Sequence, residues 1–468
     1  MRGELLTPSD IISEVDLSLP NHRFINYDMV PVKERLRSKR AAFDYLVSRY
    51  HSRSADIAAL KAYFREDEGY CDVINSIENV LSRRVRRIKD VKLTKELFGK
   101  EMRLSSTKID VYHKCPFRYF CEYGLHIRER RKATVDALEY GTLMHHIFEV
   151  FFSQYRREEY IGMDERTVES VVSDILDQYI DTHFGGTEEK SERFLYLLYR
   201  TKAAATRLLL HMIRELSQSD FIPVDFELGV GEDIPDYSVE LKDGLRLSVR
   251  GSVDRVDRCD ADGKSYIRVI DYKTGTKEFN INDLLYGLNL QMFIYLYAIR
   301  ENGAERYGEI TPAGVLYMPA VSPSVSADPD TPEAKIRSEL IKKYMMKGVI
   351  LDDADVVAHM EHDGKGVFIP AKLKDGVVSA SAGSLASLEE LGAIFRRIDE
   401  LTVAMAQSLY DGDVAALPLK GKKYDGCAYC VYNAVCLRRD EDPCREAVDR
   451  SAAEVFEELR GEGDHDGT

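Results

Sequence analysis

The period of the apolar positions changes along this chain. Over residues 1–104 it is helical: Arg35–Tyr50 and Val73–Val91 carry apolar residues at mixed spacings of three and four, with few breakers and no alternation. Ser105-Ser-Thr-Lys-Ile-Asp110 then offers several N-caps, which predicts a new helix and a domain boundary after residue 104. Residues 137–218 read as helix again, with Leu143, Ile147, Val150 and Phe151 on one face and Phe194–Leu210 supplying another. Beyond them the period drops to two. Asp225–Val230, Tyr237–Val249, Gly251–Arg258 and Tyr266–Lys273 are short strand-like runs with turn pairs at Asp243-Gly244 and Asp262-Gly263. The first pair falls inside Tyr237–Val249, so that run is a hairpin. A helix over Asp283–Arg300, a buried strand over Ala313–Met318 and a Ser/Pro/Asp-rich loop over Ser322–Glu333 follow. Residues 334–410 return to helix, with a hairpin around Gly364–Gly376. From Glu446 onward there are 8 acidic and 2 basic residues, which predicts a fraying, flexible tail over 446–468. This layout predicts an α+β or mixed α/β fold: a small mixed sheet with large helical insertions behind a helical N-terminal segment.

Composition narrows the class without changing that layout. The 468 residues are 44% hydrophobic and 31% charged, which excludes collagen-like, disordered and small disulfide-scaffold chains. No apolar run approaches the ~18 residues of a membrane span, and Leu290–Ile299, the strongest, is too short. Met1-Arg-Gly-Glu-Leu-Leu-Thr-Pro has no signal-peptide core, so the expected compartment is the cytoplasm. The net charge of −15 argues against a general nucleic-acid coat. It hides a local reversal: residues 81–132 hold 16 Lys/Arg against 6 Asp/Glu. Alone, Arg83-Arg-Val-Arg-Arg-Ile-Lys89 reads as a solvated helix face.

Ile270-Asp271-Tyr272-Lys273 closes a cleanly alternating strand, so Asp271 and Lys273 leave the same face. Asp254 sits on the preceding strand and Glu227 follows the apolar run Phe221–Phe226. Hard oxygen ligands at this density suit Mg²⁺ or Mn²⁺, with a lysine beside the metal to hold or activate water. An Asp-x-Lys pair alone is usually a turn and a surface charge. Its company raises it: Gly141-Thr-Leu-Met-His145 upstream, and Gln291 and Tyr295 one helical turn apart downstream.

Of the eight cysteines, Cys427, Cys430, Cys436 and Cys444 crowd into eighteen residues. In a reducing compartment such clusters bind metal or do redox work. Cys427-x2-Cys430-x5-Cys436 supplies three thiolates, and either Cys444 or the distant Cys115 could be a fourth. From these residues alone, zinc and an iron–sulfur cluster stand level. Cys71, Cys121 and Cys259 read as isolated thiols.

The ordered set Gly-x-x-x-His, first-strand acid, Gly-x-x-Asp-Arg, Asp-Tyr-Lys, Gln-x-x-x-Tyr resembles the RecB-like branch of the PD-(D/E)xK nuclease superfamily. The resemblance implies that Asp254, Asp271 and Glu227 hold a divalent metal, that Lys273 is catalytic, that His145 assists at the metal, and that Gln291 and Tyr295 support the site or the DNA. Cys115-Pro-Phe-Arg-Tyr-Phe120 before these motifs, with Cys-x2-Cys-x5-Cys after them, resembles the iron–sulfur staple of AddB, one of the two proteins of AddAB helicase–nucleases. That likeness implies a [4Fe–4S] cluster on Cys115, Cys427, Cys430 and Cys436, closing a nuclease domain over 105–445. Clamping residues about 310 apart removes loop-closure entropy worth about 5–6 kcal/mol in the chain-entropy model. AddB proteins are much longer and carry a helicase-like N-terminal half, so this chain reads as the C-terminal part of one.

The implied activity is metal-dependent DNA exonuclease work in double-strand-break repair by recombination, on single-stranded ends delivered by an AddA-like partner. A stand-alone, CRISPR-associated exonuclease with the same cysteines is the near alternative, against which the long helical prefix and the 321–410 insertion speak. The alternative from another class is a non-catalytic DNA-binding or assembly module, against which the intact Asp254, Asp271 and Lys273 speak; a cysteine-redox protein is a distant third, with no use for the carboxylate set. No Gly-x4-Gly-Lys-Ser/Thr occurs, so no ATPase activity is expected of the chain alone.

Overall fold

The computed structural model describes residues 10–19, 30–50, 52, 54–82, 87–128, 137–188, 190–275, 279–321, 323, 325–326, 328, 330–438 and 442–461. The centre of the basic run, 83–86, therefore lies outside the described residues, as do 129–136, parts of the 322–333 loop and the end of the tail, 462–468.

The chain forms two compact units, residues 1–84 and 85–468. The first is helical. Lys39–Ser48 starts where the Ser38 side chain accepts from the Ala41 amide, and Ala55–Glu66 and Cys71–Ser82 follow. Leu46, Ile57, Phe64 and Ile74 are fully buried and make its core.

The second unit carries the strands β1 (Glu101–Leu104), β2 (Ile222–Val230), β3 (Tyr237–Glu240), β4 (Arg246–Val249), β5 (Gly251–Ala261), β6 (Lys264–Lys273), β7 (Thr311–Pro319), β8 (Lys347–Leu351), β9 (Ala371–Lys374), β10 (Val377–Ala380), β11 (Leu385–Ala386), β12 (Leu419–Gly421) and β13 (Arg445–Ala447). Its main helices are α1 (Ser106–Lys114), α2 (Ala137–Gln154), α3 (Glu165–Phe184), α4 (Glu192–Ser217), α5 (Gln291–Asn302), α6 (Leu388–Tyr410) and α7 (Ala452–Arg460). The central sheet has six strands in the order β11-β8-β7-β6-β5-β2. β2, β5 and β6 are antiparallel neighbours, while β6 and β7 run parallel. The β5–β6 hairpin turns at Asp262 and Gly263, with φ of 54° and 74°, the backbone that an Asp-Gly pair suits. α2, α3 and α4 pack together, with α2 also against β2, and α5 lies on β6 and β7 with α6 behind it. α5 is buried nearly all round, which is why its sequence shows almost no polar face.

Between the helices and the sheet lies a charged core. Arg255, Arg268, Glu215 and Asp257 are all fully buried. Arg255 grips Asp257 through two bonds of 2.6 Å and reaches Glu215 at 3.1 Å. Arg268 donates to Asp257 at 2.9 Å and to Glu215 at 2.5 Å. Two positive and two negative groups close on one another, so each charge has a partner where no water reaches.

The structure differs from the sequence reading in four places. β1 pairs with β4 in a second, three-stranded sheet, so the stretch before residue 105 is not wholly helical and the compact units divide after Arg84. A four-residue strand is too short to show alternation. The helix expected over Asp283–Arg300 is a 3₁₀ turn, Ile281–Tyr286, followed by α5, because Gly287 and Asn289 both adopt positive φ. β8 and β11 interrupt the 334–410 helix and pair with each other, a short apolar run being as compatible with strand as with helix. The 446–468 tail is ordered through α7: Ser451 and Glu454 form a capping box, and Val455 and Phe456 are buried. Two apolar residues and a cap outweigh the acidic composition there.

Candidate functional site

β5 and β6 present their acids by alternation. Asp254 and Asp271 are buried on the strand face opposite that of Arg255 and Tyr272. The Tyr272 amide donates to Asp254 Oδ2 at 2.7 Å, fixing that carboxylate against the neighbouring strand. Lys273 Nζ lies 2.6 Å from Asp271 Oδ2 at the end of β6, about a third exposed.

Three ligand groups converge next to this pair. The ligand atoms of His145, Glu227 and Asp254 all lie within 4.8 Å of one another. His145 reaches in from α2. Its Nδ1 is 3.0 Å from Glu227 Oε1, and its Nε2 is 3.6 Å from Asp254 Oδ2 and 3.4 Å from the Tyr272 carbonyl. Glu227 sits on the edge strand β2 with φ of +49°, a left-handed backbone that a glutamate rarely adopts. Strain of that kind persists where the surroundings over-determine it. Here the Ser252 hydroxyl donates to Glu227 Oε2 at 2.9 Å while His145 holds the other oxygen.

The electrostatics ask for a cation. Burial pushes Asp254 up to about 7, and the charge of Asp271 adds to it against the pull of His145 and the Tyr272 amide. Burial alone would lower His145, but the Glu227 hydrogen bond and the charges of Asp254 and Glu227 carry it to about 9. The imidazolium is thus the only positive partner these two carboxylates have been given within the trio, and a divalent ion would meet the same demand more strongly.

Gln291 and Tyr295 stand behind the acids. The Tyr295 phenol lies near Ser106 of α1 and Gln291, and its charge environment includes Asp254 and Asp271. It also crosses Gly251: a Cβ there would overlap the phenol oxygen. Of the residues singled out in the sequence, His145, Glu227 and Asp254 come together as one cluster, Asp271 and Lys273 pair beside it, and Gln291 and Tyr295 buttress it. Ser252, which orients Glu227, was not anticipated. Only its place beside Gly251 in the glycine motif could have marked it.

Cys115, Cys427, Cys430 and Cys436 lie within electrostatic reach of one another, but among the described residues their sulfurs do not close into a group as tight as the His145 trio. Cys115 is buried and begins the short helix Pro116–Tyr119. Burial raises its thiol, the nearby amides of Arg118 and Phe117 oppose this, and the charges of Cys436 and Cys427 add to it. Cys427 and Cys436 are also raised by burial, Cys427 being offset by Lys420 and Arg438 and Cys436 by the Arg438 amide. Cys430 is among the groups acting on both. Thiols with cations and amides nearby are the donor set that an anionic metal–thiolate cluster would use. Cys121, fully buried, is pushed up to about 12 by burial, with Cys436, Cys430 and Cys115 adding to it. Cys444 is exposed.

Protein contacts bring these segments together directly. A Cβ on Gly426 would lie 2.5 Å from the Lys114 carbonyl, so only glycine lets Cys427 follow so closely on Cys115's helix. Arg445 donates to the His113 carbonyl at 2.5 Å and the Tyr432 hydroxyl to the Ile127 carbonyl at 2.8 Å.

Residues 103–437 match the family model of the PD-(D/E)XK nuclease superfamily. The chain belongs to this superfamily. Its mixed sheet, with the acids on adjacent β5 and β6, is the α+β nuclease fold. Similar proteins include the second (B-type) polypeptides of ATP-dependent helicase/deoxyribonucleases, the AddB proteins. The one from Clostridium novyi is 29% identical over 401 residues, covering 83% of this chain and 34% of that protein. The one from Clostridium kluyveri is 31% identical over 358 residues, 75% of this chain and 31% of its own length. That of Clostridium botulinum Loch Maree is 28% identical, covering 98% of this chain and 42% of the relative. The chain therefore spans about a third to two-fifths of the length of these relatives. No helix among the described residues is long and apolar enough to cross a membrane.

Proposed function

We propose that this chain is the metal-dependent DNA exonuclease module of an AddAB-type helicase–nuclease, resecting single-stranded ends during double-strand-break repair with an AddA-like partner in the cytoplasm. The observation that carries this is the convergence of His145, Glu227 and Asp254 beside the Asp271–Lys273 pair. His145, Glu227 and Asp254, with Asp271 adjoining, would hold Mg²⁺ or Mn²⁺. That ion would offset charge building on the scissile phosphate and ease ionisation of the attacking water. The chain's own residues do the rest. Asp271 orients the Lys273 ammonium, and Lys273 holds the attacking water in line and stabilises its developing negative charge. Glu227, locked between Ser252 and His145, keeps the open edge of the site in register, and Gln291 and Tyr295 hold β5 in place.

A [4Fe–4S] cluster on Cys115, Cys427, Cys430 and Cys436 would act structurally, tying the start of the nuclease fold to its end. The thiol donor set and its amide and cation neighbours support that reading, as does the cysteine spacing. The domain arrangement proposed is a helical segment, a nuclease domain closed by the cluster, and an acidic C-terminal extension. The deciding experiment is cleavage of end-labelled single-stranded DNA with and without Mg²⁺, with Asp271→Ala as control. Undiminished cleavage by that variant, or in EDTA, would overturn the site.

A further inference from the structure

A groove of about 710 Å³ is lined by α2, α3 and α4 and reaches Thr274, the residue after Lys273. It touches the site through the backbone. The Tyr140 hydroxyl, in the groove wall, meets the Ala320 carbonyl at 3.5 Å, and the Ala320 amide donates to the Lys273 carbonyl at 2.8 Å. Gly141, one turn before His145, faces the Thr274 side chain.

The lining has an unusual charge. In a chain of net −15, it includes Arg193, Arg200 and Arg207 and no aspartate or glutamate. These arginines fall seven apart on α4 and all are exposed. At 1.5 Å per residue they follow the helix at intervals of about 10.5 Å, drifting only ~20° per step. Arg207 also reaches the Tyr344 phenol. Between them lie rings. Tyr199 is 70% exposed and Phe194 is half-buried, both in the groove, and Arg200 stands over the Tyr196 ring, itself 60% exposed.

We propose that this groove holds the unpaired strand leading to the scissile phosphate, with bases stacked on Tyr199 and Phe194 and phosphates on the α4 arginines. Rings and arginines in alternation fit single strands, whose bases have free faces, and not duplex, whose bases are already stacked. The scissile end of the proposal rests on the nuclease reading above. The binding itself does not depend on cleavage.

The test measures anisotropy of a labelled strand of about 20 thymidines, and of an abasic strand of equal length, with the full chain in EDTA. Tyr199→Ala should bind the thymidine strand roughly 5- to 150-fold more weakly and leave the abasic strand unchanged. Arg193→Gln/Arg200→Gln should weaken both and lower the slope of log affinity against log salt by about 1.4. In Mn²⁺, both variants should hydrolyse bis(p-nitrophenyl) phosphate at the parent rate while their KM for the long strand rises. Unchanged affinity and salt slope in both variants would overturn the groove, whatever the cleavage results, and leave a protein partner as its occupant. Equal loss on thymidine and abasic strands in Tyr199→Ala would overturn the stacking. A parent that binds but cleaves nothing would count against the nuclease reading and leave the groove standing.

Discussion

Tyr295 places its phenol where any side chain at residue 251 would begin, so Gly251 and Tyr295 define each other. Gly251 starts β5, three residues before Asp254, and Tyr295 lies one turn into α5. A Cβ at 251 must push the helix or the strand, and the strand carries the acid. Gly251→Ala should cost about 1–3 kcal/mol of stability, the usual range for overpacking. Nuclease activity should fall further than stability accounts for. Adding Tyr295→Phe removes the overlapping oxygen and should restore part of both. Thermal melts and single-strand cleavage on the two single variants and the double variant would show it; strictly additive losses would refute the coupling.

Asp271→Ala and Lys273→Ala should each lower cleavage by roughly 10²–10⁴-fold, the range for groups acting on the reacting atoms. Neither should unfold the chain. Lys273 is at the end of its strand and a third exposed, and removing Asp271 takes away a charge that burdens Asp254. Circular dichroism and DNA-binding measurements alongside the cleavage assay separate loss of chemistry from loss of fold.

Much of this site is legible in the sequence because its geometry is local. Asp271 and Lys273 share a face by strand alternation, and the Asp262-Gly263 turn pins the β5–β6 register that sets Arg255 across from Ile270. Glu227 is legible only as one acid among many, since nothing in the chain announces its positive φ or its bond to Ser252. Arg255 stands next to Asp254 in the glycine motif, but its burial depends on Glu215, forty residues earlier on α4. The pairings β1–β4 and β8–β11 are long-range and carried by very short strands, where periodicity has no power. The arginines at 193, 200 and 207 carry no signal in the sequence, because the groove around them exists only once α3 and Thr274 close it.

The buried Arg255–Asp257–Arg268–Glu215 set leads to a stability prediction with a clear sign. Glu215→Gln or Arg255→Met leaves an uncompensated charge in the core and should cost about 3–5 kcal/mol. The double variant keeps one arginine and one aspartate, so its loss should be smaller than the sum of the two. Urea unfolding of the three variants gives the coupling directly, and equal sums would mean the four groups act independently.

His211, buried against Tyr344 and Phe368, is a source of acid sensitivity. Burial lowers its pKa to about 4, Arg214 adding to this and Glu215 opposing it. In the unfolded chain it would titrate near ~6.5. Above that value both states hold it neutral and it does not affect stability. Between the two values the unfolded state takes up the proton first, so stability falls as pH drops from about 6.5 towards 4, by about 2 kcal/mol at pH 5. His211→Phe should therefore lose less stability between pH 7 and pH 5 than the parent. Identical pH dependence of the two melting curves would contradict the burial argument.

The cysteine cluster makes the last prediction, and protein contacts sharpen it. Replacing Cys115, Cys427, Cys430 or Cys436 by Ser should abolish bound iron and acid-labile sulfide in anaerobically purified protein, because ligation is coupled to folding. Replacing Cys444, which is exposed, should leave both in place. Cys121 is the harder case: it is buried and within electrostatic reach of Cys115, Cys430 and Cys436. It lies with Phe120, Val414 and Tyr432 in an apolar cluster, so Cys121→Ala should reduce stability through packing while iron is retained. The chain ends also meet through Arg445 on the His113 carbonyl and Tyr432 on the Ile127 carbonyl. Loss of the cluster should accordingly loosen the junction rather than unfold the sheet. Hydrogen exchange would show this as faster exchange confined to residues near 113–127 and 417–447, with β5 and β6 still protected. Iron lost from Cys444→Ser and kept in Cys115→Ser would move the fourth ligand to the C-terminal segment and dissolve the long-range staple.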